Sequence, residues 1–308
     1  MNAKRKEPKR KIDSKKTPSS RASISLTDSR SKWIRTERPF TLPTYVKDAL
    51  KKLDDIGHVA YVVGGSVRDF LLNRTPKDHD IATSADPATV CDLFPNAITI
   101  GKDFGVIKVP VQDEQRFQDI LEITTFRKDL EYRDHRHPTG ILFAGPEEDA
   151  RRRDFTINAL YYDPKTHRIL DTVDGMDDLR AGIIRAIGRA DERFKEDALR
   201  LLRAVRFSTL LGFKIHPETA LALSHRASLI KKISMERVHD ELEKMMTGPH
   251  PAQSVRMLSE FDLLKHVLPE IESLKGVAES PLIESEGDIW QHTLKVLEAL
   301  DRHYPERS

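Results

Sequence analysis

The stretch "VAYVVGGSVRDFLLNRTPKDHDIAT", residues 59–83, restricts the fold more than any other part of the chain. A valine-rich run stops at Gly64-Gly65, "SVRDFLLNR" has helical character, and "HDIAT" alternates sides. The order predicted is therefore strand, glycine corner, short helix and second strand. In a strand, residues i and i+2 share a face, which sets Asp78 beside Asp80 and turns His79 and Ile81 the other way. Two carboxylates so close repel unless a cation sits between them, and their oxygens are the hard ligands Mg²⁺ prefers beside phosphates. A solvated surface strand is the other reading of the pair. Gly64-Gly65 lets backbone N–H groups approach a phosphate, and Arg68 offers it a planar fork. A tight turn with no ligand would use the same glycines. The chain has no Walker A sequence and no G-x-G-x-x-G, which excludes P-loop and dinucleotide chemistry.

Around this corner, "PTYVKDALKKLDDIGH" places Val46, Leu50 and Leu53 on one helical face and stops at Gly57. "DPATVCDLF" predicts a helix with Asp86 as N-cap and Pro87 at its first position. "AITIG", "GVIKVPV" and "DILEITTF" read as strands, so a small mixed sheet with few helices fills residues 58 to 127. Glu122, on the last of them, is either a third metal-site carboxylate or a surface acid. "RKDLEYRDHRHPTG" is polar and irregular and predicts a flexible loop. From about residue 181 "EDALRLLRAVRFSTLLGF", "SMERVHDELEKMMTG" and "PAQSVRMLSEFDLLKHVL" are helical. The fold class expected is an α/β head followed by an all-helical neck and body. Its divisions are a disordered arm at 1–38, a head at 39–180 and helices at 181–308.

Charge follows the same division. Residues 1–38 hold 13 Lys/Arg against 4 Asp/Glu, a net of +9 within a chain whose total is +2. A basic arm on an acidic body suits contact with nucleic acid, or is a solubilising tail. No stretch approaches the roughly 20 apolar residues that span a bilayer, and no apolar run follows the basic start as in a secretory signal. The single cysteine, Cys91, rules out an internal disulfide. These features together predict a cytoplasmic protein.

"GGSVRDFLLNRTPKDHDIAT" resembles the signature of class II tRNA nucleotidyltransferases and bacterial poly(A) polymerases, within the DNA polymerase β-like superfamily. "IGKDFGVIKV", "EITTFR", "YRDHRHP", "RRRDFTINALYYDP", "DGMDDLRAGIIRAIG" and "RFKEDALRLLRAVRFSTLLGF" follow in that family's order and spacing, over roughly residues 45 to 270. The resemblance implies that Asp78 and Asp80 hold two divalent metal ions, Mg²⁺, and are the catalytic carboxylates. It implies that Gly65, Arg68 and Arg153 contact the nucleoside triphosphate, and that Asp197, Arg200, Arg203 and Arg206 bind nucleotide from the helical segment. The expected reaction is template-independent addition of CMP and AMP, from CTP and ATP, to the 3′ end of tRNA. Poly(A) addition to RNA is the alternative, and an inactive RNA-binding module the second.

Helical geometry adds its own expectation. At about 100° per residue, Asp197, Arg200, Arg203 and Arg206 sweep one polar side while Ala198, Leu201, Leu202 and Val205 bury the other. Asp197 would accept from the amino group that cytosine and adenine share, and Arg200 would donate to the adjacent ring nitrogen. Surface ion pairing along the helix is the bland reading. His58, His79, His135, His137 and His292 are expected to be packing or surface residues, and His239-Asp240 a surface pair. "GDIWQHTLKVLEAL" resembles the opening of an HD-type hydrolase domain without its remaining ligands, so no phosphohydrolase activity is expected. Trp33 is expected to anchor the start of order, and Met245 and Met246 to fill a helical core.

Overall fold

In the computed structural model the described residues are 32–100, 105–112, 118–130, 132, 139–278 and 287–303. The basic arm as far as residue 31, and His135 and His137, lie outside them. Ten strands occur among the described residues up to Asp171: β1 (Lys32–Arg35), β2 (Ala60–Val63), β3 (Asp80–Thr83), β4 (Ile98–Ile100), β5 (Val106–Gln112), β6 (Gln118–Thr125), β7 (Arg127–Asp129), β8 (Ile141–Phe143), β9 (Leu160–Asp163) and β10 (Arg168–Asp171). Eight make one mixed sheet in the order β1-β10-β9-β2-β3-β6-β5-β4, with β3 and β6 parallel at its centre.

The sheet is larger than the sequence reading. "NALYYDP" and "HRILD" supply β9 and β10, and residues 32–35, placed in the arm by sequence, pair with β10 along the sheet edge. Residues 32–35 thus belong to the sheet and not to the arm. Trp33 packs edge-on against Tyr61 (5.8 Å) and anchors this strand as expected. The polar stretch after β6 is not all loop either: β7 pairs antiparallel with β8 and closes its base.

Each face of the sheet has its own core. Val62, Ile81, Ile107, Leu121, Ile123, Tyr162 and Ile169 are buried in one cluster with Val46, Leu50 and Leu53 of α1 (Thr44–Asp55). Val63, Ala82, Tyr161 and Leu170 join Phe126, Ala150, Ala159 and Ile187 in the other. A slip of β3 by one residue would turn Ile81 out and drive Asp80 into the first core. Losing one buried aliphatic costs roughly 1.5–3 kcal/mol, and burying an unpaired carboxylate costs more. The apolar core therefore enforces the register that presents Asp80.

Short helices punctuate the head. They are α2 (Gly65–Leu71), α3 (Pro87–Leu93, capped by Asp86 accepting from Thr89 N–H at 2.8 Å), α4 (Pro146–Arg152) and α5 (Gly175–Ala181). Beyond them lie α6 (Ala190–Glu196), α7 (Leu199–Leu211), α8 (Pro217–Arg226), α9 (Met235–Met246), α10 (Pro251–Glu260), α11 (Leu264–Val267), α12 (Pro269–Glu272) and α13 (Ile289–His303). "EDALRLLRAVRF" is not one helix. Asp197 is extended (φ −138°, ψ 105°) and its carboxylate accepts from Leu199 N–H (3.1 Å), so it ends α6 and caps α7. An aspartate's affinity for nearby backbone N–H groups outweighs continuation of the helix there. Ala198, Leu201, Leu202 and Val205 are fully buried, as the apolar side requires. Met245 is buried in the helical core, with Met246 packed against it.

Candidate active site

One row of register partners crosses all eight strands: Ile98, Lys108, Glu122, Asp80, Val63, Tyr161, Leu170 and Trp33. Asp80 and Glu122 are direct neighbours in that row. Asp78 is exposed and lies just before β3. Burial, then Glu122, then Asp78 push the Asp80 carboxyl up to about 7, against the opposing pull of Arg153 and Lys108. His79 faces the opposite side, buried and edge-on to Tyr45 at 6.4 Å, and burial lowers its pKa.

Gly64 makes the corner. Its φ of +80° and ψ of −137° fall where side-chain-bearing residues are strained. A Cβ there would stand 3.4 Å from Asp80 Oδ2 and 3.9 Å from Arg153 Nη1, so the missing methyl leaves open the point where acid and arginine converge. A partly buried carboxylate destabilised by two further acids, beside a glycine that puts no side chain against its Oδ2, fits a divalent cation.

Arg68, on α2, is only 5% exposed. It donates to Asp69 Oδ1 from Nε (2.8 Å) and to Asn158 Oδ1 from Nη1 (2.7 Å). Asn158 Nδ2 donates to Asp154 Oδ1 (3.1 Å), and Asp154 Oδ2 accepts from Arg203 Nε (2.8 Å) and Nη2 (2.6 Å). A continuous polar chain thus joins the glycine corner to α7. Burial alone would raise the Asp154 carboxyl, but Arg203 outweighs it and holds it at about 2. The Phe207 ring carries the guanidinium groups of Arg68 (5.0 Å), Arg203 (5.1 Å) and Arg206 (4.4 Å) around it.

Arg153 occupies the opposite flank. Its Nε and Nη2 bond Asp149 Oδ2 (3.2 and 3.0 Å), and Nε also bonds the Tyr161 hydroxyl (3.0 Å).

The four residues expected on one side of the last motif are placed separately. Asp197 accepts from Arg237 Nη1 (3.3 Å) and Nη2 (3.0 Å) on α9. Arg200 donates from Nη1 to Glu196 (2.9 Å) and the Arg193 carbonyl (3.1 Å), and from Nη2 to the Arg152 carbonyl (2.8 Å). Arg206 pairs with buried Glu241 of α9 (2.7 Å). The open polar side drawn from helical geometry is thus, in the structure, a set of ion pairs between elements. They are partly buried, not the surface pairs of the bland reading.

A cavity of about 630 Å³ lies beside them and away from Asp80, lined by Asp129, Tyr132, Arg151, Arg152, Arg193 and Glu196 among others. Neither Asp78 nor Asp80 is among the residues that line it. His239, Asp240 and Glu243 form an exposed cluster on α9.

Sequence reasoning did not single out Asp149, Asp154, Asn158, Tyr161, Phe207, Arg237 or Glu241. One signal was available: three consecutive arginines, Arg151 to Arg153, flanked by Asp149 and Asp154, need carboxylates if any of them is to be buried.

A mixed sheet with acids on its central strands, a glycine corner beside them and a helical region behind defines a nucleotidyltransferase head. Residues 60–185 match the family model of the poly A polymerase head domain. Residues 212–275 match the model of the probable RNA and SrmB-binding site of polymerase A. The chain is 44% identical over 219 residues to the CCA-adding enzyme of Lactobacillus johnsonii, covering 71% of this chain and 54% of that one. It is 40% identical over 260 residues to the CCA-adding enzyme of Lactobacillus helveticus, covering 82% and 63%. The crystal structure of the Bacillus stearothermophilus CCA-adding enzyme in complex with CTP superposes with a TM-score of 0.63 at 40% identity, over 71% of this chain and 52% of that one. The chain belongs to the family of tRNA nucleotidyltransferases and bacterial poly(A) polymerases. It spans a little over half the length of the curated relatives it matches, and no helix among the described residues is long and apolar enough to cross a membrane.

Proposed function

We propose that the chain adds CMP and AMP from CTP and ATP to the 3′ end of tRNA without a template, building or repairing its CCA end. The observation that carries this reading is the convergence of Asp80 and Arg153 on the open side of Gly64, in a chain 44% identical to a CCA-adding enzyme. Asp78 and Asp80, with Glu122 as the neighbouring third acid, are the residues that would hold divalent metal, read here as a pair of Mg²⁺ ions. When bound, such ions activate a hydroxyl nucleophile and stabilise charge on the leaving pyrophosphate.

The chain's own residues do the rest. Gly65 begins α2 and lets backbone N–H groups approach the triphosphate, while Arg68 and Arg153 hold its charge from two sides. Arg203 and Arg206 contact the nucleotide from α7, held there by Asp154 and Glu241. Asp197 accepts the exocyclic amino group of cytosine or adenine, and Arg200 donates to the ring nitrogen beside it. Guanine and uracil present a carbonyl to the carboxylate, and an unpaired buried acceptor costs ~1–3 kcal/mol. Base entry exchanges the Asp197–Arg237 contact for the base edge.

The test offers tRNAs lacking CCA, CA or A to the protein with each nucleotide separately. Incorporation of two C and one A is expected. Long A tails on any RNA would replace this reading with poly(A) addition, and no transfer with intact tRNA binding would replace it with an RNA-binding module.

A further inference from the structure

Asp149 is fully buried, yet the reading above gives it no part. Its two oxygens divide their work. Oδ2 takes Arg153 Nε and Nη2, which leaves Nη1 as the end that faces the Gly64 corner, the same corner that Asp80 Oδ2 faces. Oδ1 takes Arg152 Nε (2.8 Å) and Nη2 (2.6 Å), and the carbonyl of Arg152 in turn receives Arg200 Nη2 (2.8 Å). Tyr161 completes the arrangement. Its hydroxyl donates to Asp149 Oδ2 (2.7 Å) and accepts from Arg153 Nε (3.0 Å), and the Arg153 guanidinium lies 5.2 Å from its ring centroid. Tyr161 stands in the same cross-sheet row as Asp80, one strand removed, so its hydroxyl is referenced to the strand that carries the acid.

We infer that Asp149, assisted by Tyr161, is a positioning residue that couples triphosphate binding to base selection, by fixing Arg153 toward the acid corner and, through Arg152, the carbonyl that holds Arg200. The inference rests on the nucleotide-binding reading of Arg153 and Arg200 given above. An arginine side chain loses much rotamer freedom when it binds a ligand, and two bonds that already hold its Nε and Nη2 remove that cost beforehand. A buried apolar residue would pack α4 against the sheet equally well. It would not orient either arginine. Burial acts to raise the Asp149 carboxyl, but Arg153 and Arg152 outweigh it and hold it at about 2, so the anchor stays charged wherever the enzyme works.

The two partners give the idea separable consequences. Tyr161 touches Arg153 and Asp149, whereas Asp149 alone also reaches Arg152 and, through it, Arg200. In the full chain with Mg²⁺, Tyr161→Phe is expected to weaken CTP, ATP and UTP binding alike by about five- to tenfold, leaving the preference for CTP over UTP unchanged. Asp149→Asn is expected to weaken all three and also to lower that preference by about tenfold. Equilibrium nucleotide binding and melting temperature would be measured side by side. If both variants bind CTP as tightly and selectively as the parent, or lose affinity and selectivity together in proportion to melting temperature, the coupling is overturned. Should Asp149→Asn fail to fold, Tyr161→Phe decides alone, and unchanged affinity refutes the positioning role. A parent chain that binds neither CTP nor ATP overturns the nucleotide-binding reading itself, and this inference with it.

Discussion

Asp80 and Glu122 stand side by side on the two parallel strands at the centre of the sheet, as direct register partners. Parallel pairing aligns side chains on one face without a turn to separate them, so the two carboxylates share an environment neither can leave. Burial first and that repulsion second raise the Asp80 carboxyl, which has measurable consequences with and without metal.

Asp78→Asn and Asp80→Asn should each abolish nucleotide transfer while leaving tRNA binding close to the parent's. A carboxylate on a solvated strand could be neutralised within ~0.5 kcal/mol of stability and with no loss of activity. Near-normal turnover in either variant would remove the acids from the chemistry.

The raised Asp80 carboxyl makes a pH prediction with a definite sign. Its folded value of about 7 lies above its ordinary 3.8, so the folded state holds the proton more tightly than the unfolded state does. Metal-free protein should therefore lose stability as pH rises from about 4 to about 7 and lose no more on this account above that. In the presence of a chelator, Asp80→Asn should melt higher than the parent at about pH 8 and close to it at about pH 4. Parallel melting curves for the two proteins across that range would contradict the assignment.

Gly64→Ala combines a strained backbone with an intruding methyl. A cost of about 1–3 kcal/mol is expected from the backbone, together with weaker nucleotide binding because the methyl sits against Asp80 Oδ2. The comparison is with Gly57→Ala, whose φ is also positive (+83°) but whose Cβ would meet nothing within 4 Å. Equal nucleotide affinity in the two variants would show that the corner is a turn and nothing more.

Arg203→Ala should be costly in two ways that Phe207→Leu separates. Removing Arg203 leaves Asp154 buried with one partner fewer, for which a loss of roughly 3–5 kcal/mol is typical. Phe207→Leu keeps the ion pair and removes the ring that three guanidinium groups share, at ~0.5–1 kcal/mol for each contact beyond the lost packing. Its KM for CTP and ATP should rise with little change in the Asp154 interaction, and an unchanged KM would confine Phe207 to packing.

Asp197→Ala should lower discrimination against UTP and GTP much more than it lowers melting temperature. Asp197 caps α7 and pairs with Arg237, so a stability loss of about 1 kcal/mol is expected from the cap alone. Selection as sharp as the parent's would end the proposal that Asp197 reads the base.

The acid corner was legible in the sequence because a period of two and a pair of glycines have few structural meanings. The helix terminus at Gly57, whose φ is positive, was legible for the same reason. Strands β1, β9 and β10 were not. "KWIR" lies in a charged segment whose composition outweighs four alternating residues, and "LYYD" follows an arginine-rich run that drew attention to its charge. The break at Asp197 was missed because a helical wheel treats each residue as a direction, whereas Asp197 uses its carboxylate on the backbone. The partners of the arginines lay beyond reach for a general reason. Glu241 is 35 residues from Arg206 and Asp154 is 49 from Arg203, and no local pattern encodes such a pairing.

Strand β1 joins residue 32 to residue 171 along the sheet edge, and β9 and β10 stand between it and the strands of the glycine corner and Asp80. During synthesis, β2 and β3 can meet early, but Tyr161 and the edge that covers it arrive about a hundred residues later, a separation that slows closure. Until residue 161 has been made, the nascent head has the strand that carries Asp80 but lacks the Tyr161 hydroxyl that helps to hold Arg153. The growing chain therefore passes through a stage in which the acid-bearing strands are made and the anchor of Arg153 is not.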